Sequence, residues 1–123
     1  MRFPALVALA LLAAGCGGSA ATGTSYTPTN PTIPDTSTPV ATTSVSLINT
    51  SFTPPNIQVA GGAVVTFTNN DAFNHNVTFT NTTIGGTGNF TTGAKTLTMP
   101  ATAGAYPYRC TIHSSMTGVV TVK

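Results

Sequence analysis

Apolar and polar residues alternate with period two through the C-terminal two thirds of this chain, and no helical period is sustained there. Val64 to Asn69 sets Val65 and Phe67 on one face against Thr66 and Thr68 on the other. His75 to Thr80 likewise sets His75, Val77 and Phe79 against Asn76, Thr78 and Thr80. Val45 to Ile48, Ile57 to Val59, Thr96 to Met99, Ala105 to Cys110 and Gly118 to Val122 complete the strand-like runs. Turn-forming clusters separate them at Pro54-Pro55-Asn56, Gly61-Gly62, Asn69-Asn70-Asp71, Gly85-Gly86, Gly88-Asn89 and Gly104. This spacing predicts an all-β fold, a Greek-key sandwich or barrel of about seven to eight short strands. Met99 shares parity with Leu97 and is expected in the core. The Thr- and Gly-rich segment Asn81 to Gly93 has only Ile84 and Phe90 to bury and is expected to be a loosely held edge.

The alternation begins only at about Ser44. From Gly17 to Thr43 the chain is Gly, Ser, Thr and Pro with almost nothing to bury, so these twenty-seven residues are expected to be a flexible or polyproline-like linker. Extended at about 3.1 Å per residue, such a linker reaches about 80 Å. Ahead of it, Met1-Arg2 and the apolar run Pro4 to Ala14 have the charged start and short hydrophobic stretch of a secretory signal. That run is too short for a permanent membrane span. Leu12-Ala13-Ala14-Gly15-Cys16 resembles a bacterial lipobox, with Ala where a larger residue is more usual. Cys16 is then expected to carry acyl chains that anchor the exported protein to a membrane. The expected divisions are a signal over 1–16, a linker over 17–43 and a folded domain over 44–123, lying in the periplasm or on the cell surface. A domain of that size sits near the lower limit for an unaided core, where a bound metal adds stability.

An exported chain with two cysteines pairs them by default. A Cys16 to Cys110 bridge would have to cross the linker, and the lipidated reading of Cys16 is preferred to it. Without Arg2, the side-chain charges are Lys95, Arg109 and Lys123 against Asp35 and Asp71. This excludes a basic stripe for nucleic acid and an acidic patch for steering a basic partner. With 5% charged residues, solubility rests on Thr, Asn and Ser, and docking to a partner should depend little on ionic strength.

The chemistry is concentrated near the C-terminus, where Cys110, His113 and Met116 stand in the spacing C-x-x-H-x-x-M after Tyr106-Pro107-Tyr108-Arg109. With His75 they supply a thiolate, two imidazoles and a thioether, the ligand set of a type 1 (blue) copper site. Soft sulfur suits Cu(I) and nitrogen suits Cu(II), so the set favours neither oxidation state strongly, and a compact loop changes little between them. Parity agrees: His75 shares the face of Val77 and Phe79, and Cys110 that of Tyr108 and Tyr106. Taken singly, each residue also has an ordinary structural role as core filler or solvated loop residue. Together they are the chain's two histidines and its one cysteine beyond the signal, placed where one metal can gather them. Zinc is the competing ion for two histidines and a cysteine, but a thioether suits copper better.

The stretch from about Phe52 to Lys123 resembles the cupredoxins, the plastocyanin and amicyanin family of small blue copper proteins. The resemblance lies in Phe52-x-Pro54-x-x-Ile57-x-Val59-x-x-Gly62, Val65-x-Phe67-x-Asn69-x-Asp71, His75-Asn76-Val77-x-Phe79 and Gly104-x-Tyr106-x-Tyr108-x-Cys110-x-x-His113-x-x-Met116-x-Gly118. It implies that His75, Cys110 and His113 are equatorial ligands of one copper ion and Met116 the long axial ligand. It implies too that Asn76 braces the Cys110 sulfur and its loop. The ligand loop is similar to the short amicyanin type, with Ser114-Ser115 where a proline is often found. Redox partners are then expected to dock around His113, in weak and short-lived complexes, with the chain itself acting as a monomer. Catalysis is not expected, since the related copper enzymes need further histidines and this chain has none to spare. The alternatives are storage or delivery of copper without redox cycling, for which a Met- or His-rich tract is missing, and a metal-free adhesive sandwich on a stalk.

Overall fold

A computed structural model of the chain describes residues 37–123. The signal, Cys16 and most of the expected linker lie outside the described residues. Among the described residues nine strands follow one another: β1 (Val40–Ala41), β2 (Ser44–Ile48), β3 (Ser51–Thr53), β4 (Asn56–Val59), β5 (Val64–Asn69), β6 (Thr78–Phe79), β7 (Gly93–Thr98), β8 (Gly104–Arg109) and β9 (Thr117–Val122). They form two sheets, one in the order β1-β4-β9-β8-β6 and the other in the order β3-β2-β5-β7. Both are mixed. β4 runs parallel to β1 and β9, and β2 parallel to β5, while the remaining pairs are antiparallel. The chain passes repeatedly from one sheet to the other, which makes β4/β9 and β2/β5 parallel, and the all-β sandwich expected from alternation is the fold found. Among the described residues, no helix is long and apolar enough to cross a membrane.

The inward faces supply the core: Val45 and Leu47 from β2, Val65 and Phe67 from β5, Ile57 and Val59 from β4, and Val120 and Val122 from β9. At its centre the Tyr108 ring meets Phe52 at 4.8 Å, Phe79 at 5.3 Å and Phe67 at 5.5 Å between centroids, with tilted or edge-on geometry that suits the ring quadrupoles. Met99 is buried with them, as its parity predicted.

Four elements differ from the sequence reading. Val40 and Ala41 fall in the Thr- and Pro-rich stretch expected as linker, yet they lie beside Ile57 and Gln58 of β4. β3 pairs with β2 across a tight turn at Asn49 and Thr50, both with positive φ. The expected strand from His75 to Thr80 keeps ladder pairing only at Thr78 and Phe79, because His75 bonds instead to Phe90 in both directions, at 3.1 and 2.9 Å. The segment Asn81 to Gly93 is not loose: Phe90 is buried and Ile84 packs on the core. Its backbone is tied to the sheet by Thr87 N–H to Val77 O at 2.9 Å and Phe79 N–H to Gly85 O at 3.1 Å. A Cβ on Gly86 would lie 2.8 Å from Val77 O, so only glycine permits this approach.

Candidate metal centre

β8 delivers Cys110 to one end of the sandwich. The alternation that buries Tyr108 buries Cys110 two residues on, completely (0% exposed). The chain then turns through residues 111–116 into β9, and two backbone bonds close this loop: Cys110 N–H to Met116 O and Met116 N–H to His113 O, each 3.0 Å. The closure turns the half-buried His113 ring back toward the sulfur, with Nδ1 3.7 Å from Cys110 Sγ. His75, 0% exposed, arrives from the stretch before β6, and its Nδ1 lies 3.1 Å from His113 Nδ1. One donor atom from each of His75, Cys110 and His113 lies within 4.8 Å of the other two. Two ring nitrogens and a sulfur converging from rigid elements form a donor set that fits a copper ion. Met116 is 1% exposed and belongs to the core cluster, at the end of the same loop.

The His75 ring is oriented from behind. Its Nε2 lies 2.8 Å from Asp71 Oδ2. A carboxylate only accepts, so Nε2 carries a proton, and Nδ1 is the ring nitrogen turned toward His113. Asp71 also accepts from the backbone N–H groups of Asn49 (2.8 Å) and Thr50 (3.0 Å). The Thr50 N–H foremost, and then the His75 ring, hold the Asp71 carboxyl below the usual carboxylate range, against the opposing loss of water. Asn69 steadies the same segment, its Nδ2 donating to Phe73 O at 3.0 Å and Phe90 O at 2.8 Å.

Asn76 is buried and tied to the residue after the cysteine: Nδ2 donates to Thr111 Oγ1 at 2.8 Å, and Oδ1 accepts from Thr111 N–H at 2.9 Å. Its side chain thus braces the ligand loop through Thr111. Phe73 is 45% exposed and lies over both histidines, its centroid 5.0 Å from that of His75 and 5.7 Å from that of His113. Ile112, beside His113 in sequence, is equally exposed. Sequence reading took Asp71 as a turn residue and did not single out Phe73. The signal available was Asp71 four residues before a histidine, a separation that means little outside a helix.

The cupredoxin-like domain model matches residues 6–122. The chain is similar to a reduced point mutant of amicyanin, with 29% identity and a TM-score of 0.59 over 68% of this chain and 82% of that one. It is similar in fold to a purple cupredoxin from Nitrosopumilus maritimus, with 22% identity and a TM-score of 0.56 over 65% of this chain and 98% of that one. A copper-containing nitrite reductase from Thermus scotoductus SA-01 shares 25% identity and a TM-score of 0.57 over 70% of this chain, but only 22% of the enzyme. No curated protein sequence matches this chain. The family match runs across every strand and every donor just described, and the chain belongs to the cupredoxin-like domain family.

Proposed function

We propose that this protein carries single electrons, using one copper ion held by His75, Cys110 and His113 with Met116 as a weak axial donor. The observation that carries the reading is the convergence of one nitrogen from each histidine ring and the Cys110 sulfur within 4.8 Å at one end of the sandwich. Copper supplies the one-electron chemistry, cycling between Cu(I) and Cu(II). The chain's own part is to keep the donors still. Asp71 holds His75, Asn76 holds the backbone beyond Cys110, and the loop's two internal bonds hold His113 and Met116. A site pinned in this way rearranges little when its charge changes.

Beside the half-buried His113, the exposed Phe73 ring and Ile112, its neighbour in sequence, offer apolar surface against which a redox protein would dock. An enzymatic role is not proposed. The chain's two histidines are both committed to this site, leaving none for a second copper centre. Acylation at Cys16 and export to the periplasm or cell surface complete the proposal, with the stretch between Cys16 and β1 (Val40–Ala41) spacing the domain from the membrane.

Titration of the purified protein with Cu(II), followed by visible absorption and electron paramagnetic resonance, tests this reading. An intense thiolate-to-copper band with narrow hyperfine splitting, abolished by Cys110→Ser, is the expected result. A colourless protein, or one that takes zinc equally well, would refute it. Mass spectrometry of membrane-extracted protein tests acylation at Cys16, and an unmodified cysteine would remove the tether from the proposal.

A further inference from the structure

We propose that Asp71 is a positioning residue: through one carboxylate it joins the β2–β3 turn to His75 and fixes Nδ1 as the donor that this ring presents. The effect on a bound metal rests on the copper reading above, whereas the orientation of the ring does not.

The argument starts in the turn. Asn49 (φ 52°) and Thr50 (φ 56°) both occupy the left-handed region, as a two-residue type I′ hairpin turn requires. Asn tolerates this conformation, but a β-branched Thr does so poorly, and the glycine that usually follows Asn in such a turn is missing here. The two successive N–H groups of the turn face the same carboxylate, Asn49 on Oδ1 at 2.8 Å and Thr50 on Oδ2 at 3.0 Å. Consecutive backbone N–H groups of this kind form a concave anion site. Here the anion is a side chain of the protein itself, and Oδ2 still accepts from His75 Nε2 at 2.8 Å.

A backbone carbonyl or a neutral amide could fix the His75 tautomer, but neither could also satisfy both turn N–H groups. An Asn at this position would offer a single acceptor oxygen to three donors and turn its own N–H₂ toward one of them. Only two acidic side chains exist in the whole chain, Asp35 and Asp71, so Asp71 is the only one among the described residues. Its N–H is itself held by Asn69 Oδ1 at 3.0 Å, which fixes the carboxylate in the body of the sheet. A negatively charged acceptor behind the ring makes Nδ1 the stronger donor, which favours the more highly charged state of a metal bound there.

The test compares wild type, Asp71→Ala and the double variant Asp71→Ala/Thr50→Gly. Glycine removes the strain at positive φ, so the double variant keeps the turn without the carboxylate. In the metal-free protein, long-range ¹⁵N–¹H spectra of the imidazoles should show His75 as a single Nε2–H tautomer in wild type and as a tautomer mixture in both variants. Cu(II) affinity, measured by chelator competition, should fall about 10–100-fold in both variants, and the reduction potential of the loaded protein should rise. Thermal stability should recover in the double variant while tautomer and affinity do not, which separates positioning from mere support of the turn. A single Nε2–H tautomer in the folded double variant, or a Cu(II) affinity within about twofold of wild type, would overturn the proposal. If wild type binds no Cu(II) but the tautomer still shifts, the copper reading fails and the positioning of His75 stands.

Discussion

Gly118 and Tyr108 occupy one another's space: a Cβ on Gly118 would lie 2.5 Å from the phenol oxygen, and closer still to the ring Cζ and to the carbonyl oxygen of Pro55. That phenol donates to Pro55 O at 2.8 Å, and Val119 N–H donates to the same oxygen at 3.1 Å. The start of β4, the end of β8 and the start of β9 therefore meet at a point where no side chain fits. β9 follows directly on the ligand loop, so this packing also fixes where the loop ends.

Gly118→Ala should accordingly cost about 3 kcal/mol or more, because backbone rather than a flexible side chain must yield. At roughly 4–8 °C per kcal/mol for a domain of this size, the melting temperature should fall by more than about 12 °C. Calorimetry of the metal-free protein is the direct measurement. A change of less than about 1 kcal/mol would mean that the three strands do not meet as described.

Tyr108 links the same junction to alkaline pH. Burial pushes its phenol well above the usual tyrosine range. The unfolded chain, with an ordinary value of about 10, loses its proton first. The stability tied to this group is thus complete below about pH 10 and is lost as pH rises toward the folded value. Tyr108→Phe should cost about 1 kcal/mol at neutral pH, since Pro55 O keeps its bond from Val119. It should also flatten the alkaline limb of a denaturant-midpoint profile above about pH 10, and an unchanged limb would assign the alkaline loss to another group.

At the acid end the relevant carboxyl is Asp71, lowered by the Thr50 N–H and then by His75. A depressed carboxyl adds stability that is complete above the unfolded value of about 3.9 and disappears as pH falls through the folded value. The midpoint of wild type should drop below about pH 4, and the difference between wild type and Asp71→Asn should shrink over the same window. Parallel profiles for the two proteins down to low pH would contradict the bonding described for Asp71.

How much of this was legible in the chain depended on where each contact lies. Val64 to Asn69 was readable to the residue because β5 has a buried face and a polar face. β7 is exposed for most of its length, which blurs the alternation, and its start was expected at Thr96 rather than Gly93. β3 escaped notice because the turn before it, Asn49-Thr50, lacks the glycine that marks such turns. His75 and Cys110 stood out because their chemistry and their parity agree. Asp71 and Phe73 did not, since one acts through a tertiary hydrogen bond and the other through ring contacts, neither of which leaves a periodic trace.

The Phe73 ring provides the last test, of docking. It is partly exposed and lies 5.7 Å from the His113 ring by centroids, and Ile112, next to His113 in sequence, is equally exposed. Exposed aromatic anchors of this kind contribute about 1–2 kcal/mol to an interface. Phe73→Ser should therefore weaken association with a redox partner by roughly 5- to 30-fold, at about 1.4 kcal/mol per tenfold. The chain has only four Lys and Arg residues against two Asp, so long-range steering is weak. Bimolecular electron-transfer rates measured by stopped flow should change less than about threefold between low and physiological salt, for wild type and variant alike. A steep salt dependence, or a Phe73→Ser rate equal to wild type, would place docking away from Phe73 and His113.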